Sequence, residues 1–221
     1  MTQTTLMEVP PIHAVKSLQV RPISYNTVRR FVTEWHYGGD PNGIIPDYCF
    51  GLVHHGRLIG AMIYGDLAMP GVTGRYCPNG ERMVELRRLC CIDDTPPNTE
   101  SFFIAKTLKW LRDNTDVDLV ISYADKEHGH VGTIYKASNF ELIGEISGAR
   151  VIDHDGAVYH DKAIRTKYKG KLKPFAKKLK DALGDGDASY RGTAGKNVYL
   201  YRIRRKPFNT PRRPRIKPLF E

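Results

Sequence analysis

Side chains that could do chemistry are concentrated in one stretch of the sequence, residues 84–140. Within it, the runs Leu86–Leu89, Tyr123–Asp125 and His128–His130 each stand where an apolar, strand-like segment stops. In open α/β sheets, ligands bind in the crevice beyond the carboxyl ends of the strands. The sequence therefore predicts a functional site at one edge of a sheet, built from these three runs.

Two residues of this stretch carry groups suited to proton transfer. Asp125 follows the apolar segment 117–123, where partial desolvation is expected to raise the pKa of its carboxyl group toward that of a useful base. It could take a proton from an attacking amine, or it could cap the next helix as an ordinary loop aspartate. Tyr135 could donate a proton to a leaving group, or it could pack its ring on the sheet.

Two further residues could hold a substrate or cofactor. Arg88 stands at a strand end, where a guanidinium group can bind a phosphate or an acyl oxygen through two hydrogen bonds. The alternative for Arg88 is an ion pair with Glu85 or Asp125. Ser101 is expected in the first turn of the following helix, where it could contact a cofactor or satisfy helix amides.

Histidines provide a possible metal site. His36 stands beside Tyr37 in a glycine-rich loop and could be a metal ligand or a base for an amine. His36 and Asp125 are the metal ligands that we predict. His128 and His130, two residues apart, could complete a site of two histidines and one carboxylate with Asp125.

Charge is distributed unevenly along the 221 residues. Residues 1–160 have a formal net charge of −4, residues 161–221 one of +14, and the whole chain +10. This asymmetry favours a module that binds a polyanion, and interleaved aromatic residues favour nucleic acid, although a solubilising tail is the alternative. The arm residues expected to contact double-stranded DNA are Arg204, Arg205, Lys206, Arg212 and Arg213.

Hydrophobic spacing predicts the elements that position these residues. The first are a helix over 24–35, a hairpin of strands 48–53 and 58–64, a strand over 84–92 and a helix starting at Asn98 or Thr99. The rest are an apolar strand over 117–123, a short helix over 132–138, strands over 140–147 and 198–203, and a basic amphipathic helix over 172–183. We expect one domain over 1–203, with a core at 21–150 and a basic part at 160–203, followed by a basic proline-rich arm at 204–221.

Bulk properties restrict the class of protein. No apolar run reaches the roughly 18 residues needed to cross a bilayer, and the N-terminus lacks the pattern of a signal peptide. The four cysteines, at positions 49, 77, 90 and 91, match no zinc motif. A cytoplasmic protein with reduced cysteines and no membrane partner is the expectation.

The order of elements resembles the acyltransferase fold of the GNAT superfamily. That fold has helices, an antiparallel hairpin, then strand, helix, strand and helix, and closing strands. The resemblance implies an α/β fold whose mixed central sheet has helices on both faces. Tyr135–Phe140 resembles its late helix, in which a tyrosine protonates the departing thiolate.

Several short motifs are similar to the Mom family of phage proteins. They are Trp35-His36-Tyr37, Glu85-Leu86-Arg87-Arg88-Leu89, Asn98-Thr99-Glu100-Ser101, Ser122-Tyr123-Ala124-Asp125 and Gly129-His130-Val131-Gly132-Thr133-Ile134-Tyr135-Lys136-Ala137. Mom proteins place a methylcarbamoyl group on the exocyclic amine of adenine in DNA, which shields phage DNA from restriction. The resemblance implies the same transferase activity here, in a phage-infected or prophage-carrying bacterium.

The resemblance also implies cofactors, namely an acyl donor such as acetyl-CoA and bound iron. Acyl-CoA enzymes of this fold bind pyrophosphate on a glycine-rich turn at a helix start. Here that turn is Asp93-Asp94-Thr95-Pro96-Pro97, in which two carboxylates repel phosphate and two prolines lack amide donors. This departure argues against ordinary CoA binding, although Ser101 and the amides after it remain available.

The working hypothesis is an enzyme that modifies adenine in DNA. Chemistry on the adenine amine in a duplex requires the base to leave the stack. Trp35, Tyr37 and Tyr123 could receive it, or each could pack in the core. His36, Arg88, Ser101, Asp125 and Tyr135 are the predicted catalytic residues. The alternatives are a CoA-dependent acyltransferase acting on a small amine, a protein or a hypermodified pyrimidine, and a DNA-binding protein without activity.

Overall fold

A computed structural model provides the structure of the protein and describes residues 12, 14–69 and 71–203. The chain divides into two compact units. Of the described residues, the first unit comprises 12, 14–69, 71–122, Thr133–Leu142 and 199–203. The second comprises Tyr123–Gly132 and Ile143–Val198.

Five α-helices and twelve β-strands are formed by the residues that the structure describes. The helices are α1 (Tyr25–Trp35), α2 (Val72–Tyr76), α3 (Thr99–Asn114), α4 (Thr133–Ala137) and α5 (Pro174–Asp185). The first strands are β1 (Gln19–Pro22), β2 (Pro46–His54), β3 (Arg57–Gly65), β4 (Met83–Cys91), β5 (Leu119–Asp125) and β6 (Glu141–Ile146). The others are β7 (Arg150–His154), β8 (Ala157–His160), β9 (Lys167–Tyr168), β10 (Lys171–Leu172), β11 (Ala188–Gly192) and β12 (Lys196–Arg202). Over this part of the chain, no helix combines the length and the apolar character that crossing a bilayer demands.

A seven-stranded sheet has the order β1-β2-β3-β4-β5-β12-β6. Strands β1 to β4 pair with their neighbours in antiparallel fashion, whereas β4 and β5 pair in parallel. A parallel pair requires a crossover connection, and α3 supplies it. The mixed α/β sheet predicted from the sequence is therefore confirmed.

Helices cover both faces of this sheet. Trp110 of α3 packs edge-on against Phe50, with ring centroids 5.1 Å apart, so α3 lies on the face of that side chain. Successive strand residues point to opposite faces. A Cβ atom at Gly51 would lie 2.8 Å from Cδ1 of Ile23, just before α1, so this segment covers the other face.

Local sequence signals explain several boundaries. Ser24 caps α1 because its hydroxyl accepts the N–H of Thr27 at 3.2 Å. His55 and Gly56 both have positive φ and form the tight turn between β2 and β3. Asn98 precedes α3 as predicted, but it has a left-handed backbone and its side chain does not cap the helix.

The second unit has its own small core. A three-stranded sheet of order β11-β7-β8 packs against α5, and the buried residues between them are Ile152, Leu179, Ala182 and Ala188. Helix α5 was predicted over 172–183 and is observed two residues later. Strands β7, β8 and β11 were not predicted, because their short segments mix apolar and charged residues without a clear period.

Truncation of Leu179 to alanine should destabilise the second unit. Leu179 is 2% exposed, so the variant loses apolar burial and leaves a cavity, at a cost of about 2–5 kcal/mol. Urea unfolding followed by circular dichroism measures the loss. Lys178→Ala on the exposed side of α5 is the matched control and should change the free energy of unfolding by less than about 0.5 kcal/mol. Equal effects of the two substitutions would contradict this core.

Candidate functional site

The site in the first unit lies where β4 and β5 stop pairing. Their parallel pairing covers Met83–Glu85 and Leu119–Ile121, and both strands continue beyond it. At the next position, the hydroxyl of Ser122 donates a hydrogen bond to the carbonyl oxygen of Leu86 at 3.1 Å. Beyond the paired residues, a side-chain hydrogen bond therefore connects the two strands in place of backbone hydrogen bonds.

Tyr135 of α4 is bonded to the same serine. Its ring is buried between Phe140 and Tyr199, with centroid distances of 5.5 and 5.2 Å. Burial raises the pKa of the phenol to about 12, although a hydrogen bond with Ser122 acts in the opposite direction. At neutral pH Tyr135 therefore keeps its proton, which makes it a proton donor and not a base.

Glu85 is a buried carboxyl group in the middle of an apolar strand. One oxygen accepts the N–H of Ala68 at 2.8 Å, and the other lies 3.6 Å from Nε of Arg87. Burial raises the pKa of Glu85, and the Ala68 bond and the Arg87 charge offset this only in part. Arg88 acts on the same carboxyl group electrostatically, so Glu85 neutralises part of the positive charge of both arginines.

A β-bulge sets the direction of the two arginines. Ile63 of β3 is paired with Arg88, but Tyr64 is paired with Leu86, so Arg87 is an extra residue in β4. Strict alternation would send neighbouring side chains to opposite faces, and a bulge interrupts that alternation. The bulge explains how both guanidinium groups come to act on Glu85.

Arg88 has bonding capacity left over. Its Nη1 donates to the carbonyl oxygen of Arg87 at 2.7 Å. Among the buried side-chain atoms of the described chain, Nε of Arg88 is one of five without a hydrogen-bond partner. A buried donor without an acceptor costs roughly 1–3 kcal/mol, and a bound oxygen atom would satisfy it.

His36 and Tyr37 follow α1 directly. Their rings stack with centroids 4.3 Å apart, and Tyr37 is 59% exposed. Nδ1 of His36 accepts the N–H of Gly38 at 2.9 Å, so in a neutral ring the proton sits on Nε2. His36 therefore presents an N–H donor. Either role expected from the sequence, base or metal ligand, requires the ring to give up this bond or this tautomer.

The first unit brings these groups together. A Cβ atom on Gly38 would lie 3.1 Å from Nδ1 of His36 and 3.9 Å from Nε of Arg88. Tyr37 and Glu85 both act electrostatically on the phenol of Tyr135. Of the predicted residues, His36, Arg88 and Tyr135, with Tyr37, thus form one cluster.

Asp125 lies in the second unit, and the prediction of a raised pKa for it was wrong. Burial does raise the pKa, but the Lys196 ammonium, 2.7 Å from Oδ2, and the Glu127 amide outweigh burial, and the pKa is lowered. The other carboxyl oxygen caps the short 3-10 turn after β5. A shared pocket with the cluster of the first unit stays a prediction.

The histidines after β5 do not form the metal site that the sequence suggested. The rings of His128 and His130, in the second unit with Tyr123, are exposed and have centroids 6.4 Å apart. Throughout residues 12, 14–69 and 71–203, no three His, Cys, Asp or Glu side chains are grouped to hold a metal ion. The donor set that iron requires is therefore not met in the described chain.

The start of α3 also fits CoA poorly. Pro96 has no N–H, and its carbonyl oxygen accepts the hydroxyl of Thr99 at 2.7 Å. Asp93 and Asp94 are exposed and bring negative charge to the turn. The hydroxyl of Ser101 donates back to the carbonyl oxygen of Asn98 at 3.0 Å. These groups do not form a cradle for pyrophosphate.

Two site residues were not predicted, and one part of the prediction lies outside the described residues. Glu85 was assigned only as a possible partner of Arg88, although an acidic residue inside an apolar strand was a usable signal. Ser122 stood in one of the short motifs but was given no role, because its role depends on where the pairing of β4 and β5 ends. The arm residues Arg204, Arg205, Lys206, Arg212 and Arg213 lie outside the described part of the chain.

Comparison with known proteins identifies relatives. A model of the Mom protein family matches residues 17–207. The methylcarbamoylase Mom of Escherichia phage Mu is 32% identical to this chain over 150 residues. That alignment covers 66% of this chain and 61% of the phage Mu protein, so it spans about three fifths of the relative's length.

Solved structures of acetyltransferases are similar in fold. NAA60 of Arabidopsis thaliana, in complex with acetyl-CoA, is 13% identical with a TM-score of 0.49, covering 84% of this chain and 98% of that one. A GNAT-family acetyltransferase from Streptococcus pneumoniae is 8% identical with a TM-score of 0.47, covering 84% and 99%. Similarity at this level carries no information about substrate or mechanism.

Replacing Glu85 with glutamine should change how stability depends on pH. Because burial raises the pKa of Glu85 above its ordinary value of 4.5, the folded state holds this proton to higher pH than the unfolded state. Stability contributed by Glu85 is therefore lost as pH rises above about 4.5. Glutamine does not titrate and can still accept the Ala68 N–H.

Urea unfolding of the wild type and Glu85→Gln at several pH values measures this effect. The wild type should lose stability relative to the variant as pH rises from 4.5 through the raised pKa. Glu81→Gln, at an exposed carboxyl whose pKa is lowered by Asn79, is the control and should show the opposite trend. A stability difference independent of pH would rule out the raised pKa.

Proposed function

The chain belongs to the Mom protein family, and on that basis we propose that it is a phage DNA modification enzyme. Its substrate is adenine in double-stranded DNA, and it transfers a methylcarbamoyl group to the exocyclic amine. The modification protects phage DNA from restriction. The observation that carries the proposal is the cluster of His36, Tyr37, Glu85, Arg88 and Tyr135 in a family member.

An exposed aromatic surface supports binding of a base. Tyr37 is 59% exposed and Trp35 is 41% exposed, and both flank His36 at the end of α1. Aromatic rings stack on bases with about 1–3 kcal/mol per base. An adenine that has left the duplex would stack on this surface, with the Nε2–H of His36 as a donor to a ring nitrogen.

Arg88 and Tyr135 support a transfer reaction. The amine nitrogen attacks the carbonyl carbon of the donor, and the leaving group departs with the electron pair of the broken bond. The proton that the amine loses passes through solvent water and restores the phenol of Tyr135 after that residue has protonated the leaving group. The unpartnered Nε–H of Arg88 would donate to the carbonyl oxygen as negative charge develops on it. Tyr135 would supply the proton to the leaving group.

Asp125 is proposed to orient the amine. Its lowered pKa keeps it ionised at neutral pH, so its carboxylate can accept a hydrogen bond from the amine but is a weak base. Neither iron nor CoA enters a step here, because the described residues do not fit either group.

Tyr135→Phe tests the proton donor. The variant keeps the ring and loses the hydroxyl, so modification should fall by about 10²–10⁴-fold while affinity for DNA stays near wild type. Nucleoside mass spectrometry of DNA from an expressing bacterium measures the modification, and fluorescence anisotropy measures binding. Tyr201→Phe, which keeps a ring against Phe140, is the matched control and should stay active.

Asp125→Ala tests the proposed orientation of the amine. The variant loses the oxygen atoms that would accept the hydrogen bond from the amine, so modification should be abolished with little change in DNA affinity. Asp113→Ala, at an exposed carboxylate of α3 that also pairs with a lysine, should remain active. In DNA from a bacterium that expresses the wild type, an added mass on a thymidine derivative and none on deoxyadenosine would contradict adenine as the substrate.

A further inference from the structure

One segment of the second unit has positive charge without compensation. Residues 166–180 contain seven lysines and no aspartate or glutamate. All seven lysines are exposed, and none pairs with a carboxylate of the described chain. Three lysines elsewhere, Lys109, Lys126 and Lys196, are paired with acidic side chains at 2.6–2.7 Å. The segment lies outside the cluster described above.

The first part of this segment is a tight hairpin with a lysine at its tip. Lys171 pairs with Tyr168, which closes β9 and β10 around Lys169 and Gly170. Both turn residues have left-handed backbones, with φ of 48° and 80°. Asparagine, aspartate or glycine is favoured at the first of these positions. A lysine there gives up turn stability and places an ammonium group at the tip.

The second part of the segment has a lysine at another unfavourable position, the start of a helix. Lys173 is the N-cap of α5 and Pro174 begins the helix. The N-cap position favours a side-chain oxygen, and the helix dipole favours negative charge there. Lys173 offers neither, and the first turn has no acidic residue. Lys169 and Lys173 thus both occupy positions where local backbone structure disfavours lysine. Residues that break such local rules are expected at functional sites, which indicates a function for this surface.

A groove lies between these two parts. It is open to solvent, has a volume of about 640 Å³, and is lined by Tyr168, Lys169, Lys171, Leu172, Lys173 and Pro174. Tyr168 is 65% exposed, and the ammonium of Lys169 lies 5.5 Å from its ring centre. Ammonium groups around an open groove, with one exposed ring, suit a sugar-phosphate backbone.

The surface is held in place by the core of the second unit. Leu179 and Ala182 bury the apolar face of α5, which leaves the lysines on the solvent side. The N–H of Lys173 donates to the carbonyl oxygen of Thr166 at 2.9 Å, which joins the two ends of the hairpin. The lysines are therefore presented on a folded scaffold.

We infer that the hairpin formed by residues 167–172 and the start of α5 bind the phosphates of duplex DNA. The inference rests on the proposed function and adds to it the surface that holds the duplex. Lys167, Lys169 and Lys171 contact phosphate oxygens, and Tyr168 lies along the sugar edge. These contacts position the DNA without reading its sequence.

A triple substitution tests the surface in the full chain. Lys167→Gln, Lys169→Asn and Lys171→Gln remove three charges, and asparagine suits the left-handed turn position, so the hairpin is kept. The control removes three charges elsewhere through Lys16→Gln, Arg57→Gln and Lys106→Gln, all at exposed positions. Fluorescence anisotropy with a short synthetic duplex, at a series of salt concentrations, gives the affinity and its salt dependence.

Each phosphate contact contributes about 0.9 to the slope of log affinity against log salt. The triple variant should therefore lose about 3 from this slope, the single variant Lys169→Asn about 1, and the control triple less than 1. The loss should be the same for duplexes of different sequence. A slope equal to that of the control, in a variant whose circular dichroism matches wild type, would overturn the inference.

Nucleoside mass spectrometry separates this inference from the proposed function. If the wild type modifies deoxyadenosine and the triple variant keeps the wild-type slope, the inference is wrong and the proposed function stands. If the wild type leaves DNA unmodified and the triple variant loses the slope, the surface binds DNA and the proposed function fails.

Discussion

Strand β4 carries a glutamate and two arginines into the apolar interior of a sheet, and burying charge there is costly unless each group is compensated. Glu85 meets this requirement for Arg87, whose Nε lies 3.6 Å from one of its oxygens, and it also acts on Arg88 electrostatically, with the Ala68 amide as its other partner. The bulge at Arg87 makes the arrangement possible, because it allows the adjacent side chains of Arg87 and Arg88 both to act on the carboxyl group of Glu85. Nε of Arg88 is left over as a donor. A Cβ atom at Gly38, two residues after His36, would lie 3.9 Å from this donor.

Ser122 connects this charge cluster to the proton donor. Where the pairing of β4 and β5 ends, the hydroxyl of Ser122 donates a hydrogen bond to the carbonyl oxygen of Leu86 and is also hydrogen-bonded to the phenol of Tyr135. Burial raises the pKa of Tyr135 to about 12 and so keeps it protonated at neutral pH, while the bond to Ser122 acts in the opposite direction. The end of the pairing between two parallel strands thus frees the side chain of Ser122 to bond to Tyr135.

The two units differ in the charge of their proposed functional residues, and the proposed roles differ accordingly. The first unit contains a buried, nearly compensated cluster, which suits chemistry on a small group. The second contains lysines without carboxylate partners, which suits a polyanion. In each unit, residues that break local rules are among those assigned to function. Glu85 stands inside an apolar strand, and Lys169 and Lys173 occupy positions where lysine is unfavourable.

The sequence alone was sufficient for the helix over 24–35, the hairpin after it and the strand, helix, strand and helix order over 84–138, because these follow from periodicity, but it missed the short helix α2. Short motifs selected His36, Arg88 and Tyr135, whose roles stay a prediction. The sequence also located the excess of positive charge. It could not locate Ser122, the bulge at Arg87 or the ion pair of Asp125 with Lys196, which joins residues far apart in the chain. The pKa of Asp125 was misjudged for this reason. Burial can be inferred from neighbouring residues, but a compensating charge is brought in only when the chain folds.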